Sequence, residues 1–233
     1  MSYLPYISDD ALKTLVKEVV NCILTTQQQQ EEKMFKNVID PFSAIFDGVV
    51  QDFNVEDWLK KERARQVQKT VQNKIGEFHQ AILGSIPGWE NLGKGSIIDV
   101  RNKSIQIIAE VKNKYNTVKG SNKYVIYDDL LLALEKPEHR GFTGYYVEII
   151  PNKRKPYNEP FTPSCAGEGK KKPRTEKIRR ISGQAFYDLA TGVPGAISML
   201  FNVLPDVISE VLEVNKFSEE KKASFRSLFD KAY

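Results

Sequence analysis

Cysteine is scarce in this chain of 233 residues. Cys22 and Cys165 are the only two, and they fit no metal-ligand spacing. Two thiols in a chain long enough for a real core point to a reducing compartment and no structural disulfide. Long hydrophobic runs are absent too. None approaches the ~18 residues a membrane-spanning helix needs. Met1-Ser2-Tyr3-Leu4-Pro5 puts no basic residues before an apolar stretch, so no signal peptide is expected and the chain reads as cytoplasmic. Internal repeats and Pro/Gly-rich linkers are missing, which predicts a single domain over 1–233. What is present is ordinary globular material, with 41% hydrophobic and 27% charged residues.

The net charge is only +4, but it is unevenly placed. Between Pro151 and Ile181 ten basic residues stand against Glu159, Glu168 and Glu176. That is a local excess of +7, which leaves −3 for the rest of the chain. Such a segment is the footprint of a polyanion site. By charge alone, a solvated Lys-rich loop would look the same.

Periodicity divides the chain into helix, sheet and helix again. Ser8 or Asp9 caps a stripe at Leu12, Leu15, Val16, Val19, Ile23 and Leu24. Gln27 to Gln30 reads as its polar end. Asp40-Pro41 reads as a break. A long helix is predicted from about Val55 to Leu83, followed by a Gly-rich loop over 84–95. Two β-type runs come next, 96–100 and 104–112, with a turn at Arg101-Asn102-Lys103, so the pair reads as a hairpin. A helix over 124–134, a strand over 143–150, a basic loop over 152–177 and a strand over 178–182 complete the middle. From Gln184 the chain is helical, interrupted at Gly192, Pro194 and Pro205. The regions are 1–95 mainly helical, 96–182 sheet and basic loop, and 183–233 helical: an α/β fold.

The second run of the hairpin holds an unusual combination. Side chains alternate along a strand, so Ile108, Glu110 and Lys112 share one face. A Glu and a Lys among Ile and Val cost several kcal/mol to bury unless paired or bound to something. If the strands pair, Asp99 approaches Glu110. Two carboxylates and an ammonium at one sheet edge suit Mg²⁺-assisted phosphodiester hydrolysis. A structural Glu–Lys pair is the alternative, because Asp followed by Glu-x-Lys is a loose pattern.

Asp99 on one strand, Glu110-x-Lys112 on the next, a helix with Glu77 upstream and a basic loop downstream together resemble the PD-(D/E)XK nuclease superfamily. The segments GEFHQAILGSIPGW (76–89), IIAEVKNKYNTVKG (107–120) and RRISGQAFYDLATG (179–192) sharpen this. They are similar to the type II restriction endonucleases that cut GGNCC-type sites. Ile98, where the superfamily name has Pro, is a departure of little weight. The resemblance implies a restriction-endonuclease-like mixed central β-sheet flanked by helices, with extra N- and C-terminal helices. It implies Mg²⁺ held by Asp99, Glu110 and the backbone carbonyl of Val111, with Lys112 positioning the attacking water. Glu77 is a candidate further carboxylate, with a solvated helix acid as the alternative. It also implies a homodimer on palindromic double-stranded DNA, and a companion DNA methyltransferase that protects the host.

For the DNA itself, Asn113, Lys114, Asn116 and Lys119 follow Lys112 directly and are expected on the backbone beside the cut. Arg174, Lys177, Arg179 and Arg180 are candidates for bases or phosphates, and Lys170, Lys171 and Lys172 are expected to contact phosphates or to stay disordered without DNA. Tyr145 and Tyr146 read as core, and His79 as structural or partly exposed, not as a ligand. The stripe Val207, Ile208, Val211, Leu212 and Val214 suits core or a dimer interface. A structure-specific repair or junction nuclease, and a non-catalytic DNA-binding protein, are the competing functions.

Overall fold

The computed structural model describes residues 2–29, 34–93, 95–165, 170–214 and 217–233. They fall into two compact units, one of Met1–Val16 with Gly76–Tyr233 and the other of Lys17–Ile75. Met1, Gln30 and Glu168, named above, lie outside the described residues.

The first unit is built on a six-stranded sheet in the order β1-β2-β3-β4-β6-β5. The strands are β1 (Trp89–Asn91), β2 (Val100–Asn102), β3 (Ile107–Lys114), β4 (Thr143–Ile150), β5 (Asn158–Pro160) and β6 (Ile178–Ser182). Pairing is antiparallel from β1 to β3 and parallel from β3 through β4 to β6, with β5 antiparallel on the far edge. The sheet is therefore mixed, as expected. A parallel pair needs a crossover, and between β3 and β4 it is the helix Lys123–Glu135.

The helices are α1 (Asp9–Gln28), α2 (Pro41–Gln51), α3 (Val55–Gly84), α4 (Lys123–Glu135), α5 (Gly183–Thr191), α6 (Ala196–Val211) and α7 (Glu219–Ala232). Ser8 Oγ accepts from the Ala11 amide at 3.3 Å and caps α1. One sheet face packs on α4, where Ile108, Ile126, Tyr127, Leu130, Tyr146, Phe161 and Ile178 form a buried cluster. Each fully buried side chain of this size is worth about 1.5–3 kcal/mol. On the other face Phe186 of α5 meets Trp89 and Tyr145, with centroids 5.4 and 5.9 Å away. Tyr145 and Tyr146 are both core, as the apolar strand implied.

Several boundaries differ from the sequence reading, each for a local reason. Asp40-Pro41 starts a helix instead of only ending one. The Asp40 carboxylate accepts from the amides of Phe42 and Ser43, and Pro41 takes the first helical position, where its missing N–H costs nothing. The Gly-rich loop contains β1; of the β-run expected over 96–100 only Val100 is in a strand, so Asp99 lies just before β2, and the turn after β2 lies at 103–106, so Arg101 and Asn102 are strand residues. The basic loop contains β5, a short edge strand that tolerates Pro160. Pro205 lies inside α6 without ending it. Cys22 and Cys165 are both free thiols. Among the described residues no single helix is long and apolar enough to cross a membrane.

In the second unit, α2 has no buried residue. It lines an apolar cavity of about 950 Å³ together with Phe35, Phe53 and Trp58. Glu62 is held by Arg65 and Gln66 one turn further along α3.

Candidate active site

The backbone places Asp99 before any side chain acts. Its N–H donates to the Ala109 carbonyl and its carbonyl accepts from Leu92, both at 2.9 Å, so the residue is pinned between β3 and the segment after β1. In the antiparallel register Val100 faces Ala109. The Asp99 carboxylate consequently reaches the next part of β3, where Oδ2 accepts from the Val111 amide at 2.7 Å. Glu110 lies alongside and shares a hydrogen bond with Asp99. Lys112, two positions on and on the same face, is ion-paired with Glu110. The structure thus brings together the three residues that sequence spacing singled out.

Their electrostatics are those of a crowded, half-buried carboxylate pair. Burial raises the proton affinity of Asp99, opposed by the Val111 N–H and the Lys112 charge. Burial and the neighbouring Asp99 charge push Glu110 up, against Lys112. For Lys112, burial works against the ammonium, but Glu110 and Asp99 outweigh it and hold the charge in place. Burial together with the Asp99 charge beside Glu110 makes the two carboxylates costly to ionise together. Hard oxygens from the neighbouring Asp99 and Glu110 carboxylates are a donor set that fits Mg²⁺, to which the family resemblance adds the Val111 carbonyl.

Glu77 does not complete a cluster. Among the described residues no three His, Cys, Asp or Glu side chains gather as a metal group. The residue that α3 does deliver is Gln80, unremarked in the sequence. Its amide reaches the Val111 carbonyl at 3.4 Å and hydrogen-bonds Asp99. It is one helical turn from Glu77, and a polar residue on the strand-facing side of α3 was the available signal. His79 is structural as expected: Nδ1 lies 2.8 Å from the Tyr187 hydroxyl.

The expected DNA residues divide. Asn113 and Lys114 end β3 half-buried, while Asn116 and Lys119 are exposed in the turn that follows. Lys170, Lys171 and Lys177 are exposed. Arg174 is exposed, 3.8 Å from Glu176. Lys172 is held by both oxygens of Asp128 at 2.7 and 2.8 Å. Arg179 and Arg180 alternate across β6. Arg179 is tied to Glu176 and to the side chain and carbonyl of Asn158, whereas Arg180 pairs with Glu159. Lys171, Arg174 and Arg180 converge with Lys123 and Glu159 on a cavity of about 540 Å³.

The family model of the Eco47II restriction endonuclease matches residues 4–213. The type II restriction enzyme Eco47II of Escherichia coli is 42% identical over 243 aligned positions, covering all of both chains. The type II restriction enzyme Sau96I of Staphylococcus aureus is 31% identical, over 99% of this chain and 88% of its own. With a match across most of its length and full-length relatives above 30% identity, the chain belongs to the Eco47II restriction endonuclease family.

Proposed function

We propose that this chain carries out its family's reaction at the Asp99–Glu110–Lys112 edge. As a member of the family it is a sequence-specific double-stranded DNA endonuclease, a type II restriction enzyme. It hydrolyses one phosphodiester bond per strand and leaves 5′-phosphate and 3′-hydroxyl ends. Asp99, Glu110 and the Val111 carbonyl hold Mg²⁺. The ion supplies Lewis-acid polarisation of a phosphate oxygen and a more acidic water. Lys112 orients the attacking water and places positive charge beside the phosphate as negative charge builds there. The Val111 N–H keeps the Asp99 carboxylate aimed, and the Glu110–Lys112 pair keeps the ammonium at the sheet edge. Asn113, Lys114, Asn116 and Lys119 hold the DNA backbone next to the cut.

The observation that carries this reading is the Asp99 carboxylate seated on the Val111 amide beside Glu110 and Lys112. A structural Glu–Lys pair would not require a second buried carboxylate in contact with it. The target is a GGNCC-like palindrome cut by a homodimer, with a companion methyltransferase and a cytoplasmic setting. In this reading 1–233 work as one nuclease domain, in which 17–75 form an insertion in the sequence.

The test is digestion of a sequenced plasmid with Mg²⁺, beside Glu110→Ala and Lys112→Ala. Wild type should give discrete fragments with sequence-defined ends, and each variant should lose at least about 100-fold in rate while still binding DNA. Fragments set by DNA shape would point to a structure-specific nuclease. Cutting by both variants at the wild-type rate would remove the assignment.

A further inference from the structure

A second polar assembly starts beside the catalytic Glu110 and crosses the sheet, and its further members are not used by the proposed chemistry. Register sets Glu110 of β3 opposite Tyr146 of β4, Tyr146 opposite Arg180 of β6, and Arg180 opposite Glu159 of β5. Residues opposite one another in adjacent strands project from the same face. Glu110, Tyr146, Arg180 and Glu159 therefore form one row across four strands. Strands lie about 4.8 Å apart. Arg180 is then about 10 Å, and Glu159 about 14 Å, along the row from Glu110.

The far end of that row is built rather than solvated. The Arg180 guanidinium pairs with the Glu159 carboxylate and lies over the Tyr157 ring, 5.1 Å from its centroid. The Tyr157 hydroxyl donates to Glu148, whose side chain is wholly buried on β4 and also accepts from Lys123 Nζ at 2.6 Å. Arg180 is thus oriented by a carboxylate and a fixed aromatic ring, itself anchored on a buried acid. Arg180, Glu159 and Lys123 line the 540 Å³ cavity with Lys171 and Arg174. Lys123 is offset by Glu148 and Arg180 by Glu159, so the excess positive charge of this wall lies on Lys171 and Arg174.

We infer that Arg180 and Glu159 together read one G·C base pair of the target from this wall, with Lys171 and Arg174 on flanking phosphates. A phosphate needs only donors, and a carboxylate beside it would repel it. The edge of a G·C pair needs both: guanine O6 and N7 accept from the guanidinium fork, and the cytosine N4 amino group donates to the carboxylate. In the free protein the two side chains satisfy each other, and on the correct pair each exchanges its partner for a base. On an A·T or C·G pair the central donor and acceptor are reversed, and on a T·A pair a methyl replaces the second acceptor of the guanidinium fork, so every other pair leaves at least one hydrogen bond unmade, which is the source of discrimination. Arg179, next in sequence, takes no part, because its guanidinium is engaged by Glu176 and Asn158 on the opposite face.

This inference rests on the proposed recognition of a sequence-specific DNA site. A reach of 10–14 Å spans roughly three to four base-pair rises of about 3.4 Å, the extent of a short palindrome.

The test uses the full-length protein, wild type and the variants Glu159→Gln and Arg180→Lys, which preserve volume or charge. Duplexes selected by wild type from a random pool are compared with all single-position variants, by competition binding in Ca²⁺ and by cleavage in Mg²⁺. Both substitutions should cut the preference for G·C at one position and its symmetry mate by about 10–100-fold. Binding to random duplex should change by less than about threefold. Thermal melting identifies any loss of fold, and the substitution that folds decides. An equal loss on every sequence would make Arg180 a phosphate contact and overturn the inference, and so would unchanged selectivity. A wild type that selects a sequence in Ca²⁺ but never cuts would instead remove the catalytic reading and leave this one standing.

Discussion

At the scale of single residues, the pair His79–Tyr187 shows how burial sets chemistry. Desolvation pushes the His79 imidazole from 6.5 down to about 4, so it stays neutral in the fold. In the unfolded chain it protonates near 6.5. Between these values the unfolded state binds the additional proton, so stability is intact above about pH 6.5 and falls as the pH drops towards 4. The loss is at most about 3 kcal/mol. Urea midpoints followed from pH 7 to 4 should decline less steeply for His79→Gln than for wild type. Gln80, the next residue, serves the candidate site. It holds Asp99 and the Val111 carbonyl, and groups that orient metal ligands typically matter 10–100-fold. Gln80→Ala should raise the Mg²⁺ concentration for half-maximal cleavage by about that factor, with DNA affinity in Ca²⁺ unchanged.

At the scale of elements, the junction between β6 and α5 is the tightest in the sheet unit. A Cβ on Gly183 would stand 2.2 Å from the Ile149 carbonyl oxygen and 2.7 Å from its Cα, both backbone atoms that cannot step aside. Only glycine lets α5 begin directly against β4, while Ser182 caps the helix by accepting from the Ala185 amide at 3.4 Å. Gly183→Ala should cost about 2–4 kcal/mol, read as a lower urea midpoint. The hairpin of β2 and β3 was legible because its information is local: alternation in 107–112 and a pairing only about ten residues long bring Asp99 to Glu110. The same local rules missed β5. A three-residue strand containing Glu and Pro carries no hydrophobic period, and it exists only because β6 offers it an edge. They also misjudged Pro41, which opens α2 because Asp40 supplies the cap.

At the scale of the whole molecule, the +7 segment resolves into two populations. Lys172, Arg179 and Arg180 are committed to acids within the fold, while Lys170, Lys171 and Lys177 remain exposed. The exposed set should act on DNA through counterion release. Lys170→Ala with Lys171→Ala should weaken binding evenly across sequences and make the plot of log K against log salt shallower, by about 0.9 for each phosphate no longer neutralised. Sedimentation should show whether the homodimer of the proposed reaction forms without DNA.

Motif words, periodicity and one short-range hairpin are enough to give the family, the mixed α/β class and the meeting of Asp99, Glu110 and Lys112, and all three are written in the amino-acid order. Only the folded chain reveals that Gln80 stands beside Asp99 where Glu77 does not complete a cluster. Only there does strand register bring Arg180 into line with Glu110, where Glu159 and Tyr157, anchored on Glu148, orient it. Those residues come from separate elements joined by parallel pairing through a crossover, and no local pattern records which distant strand becomes a neighbour.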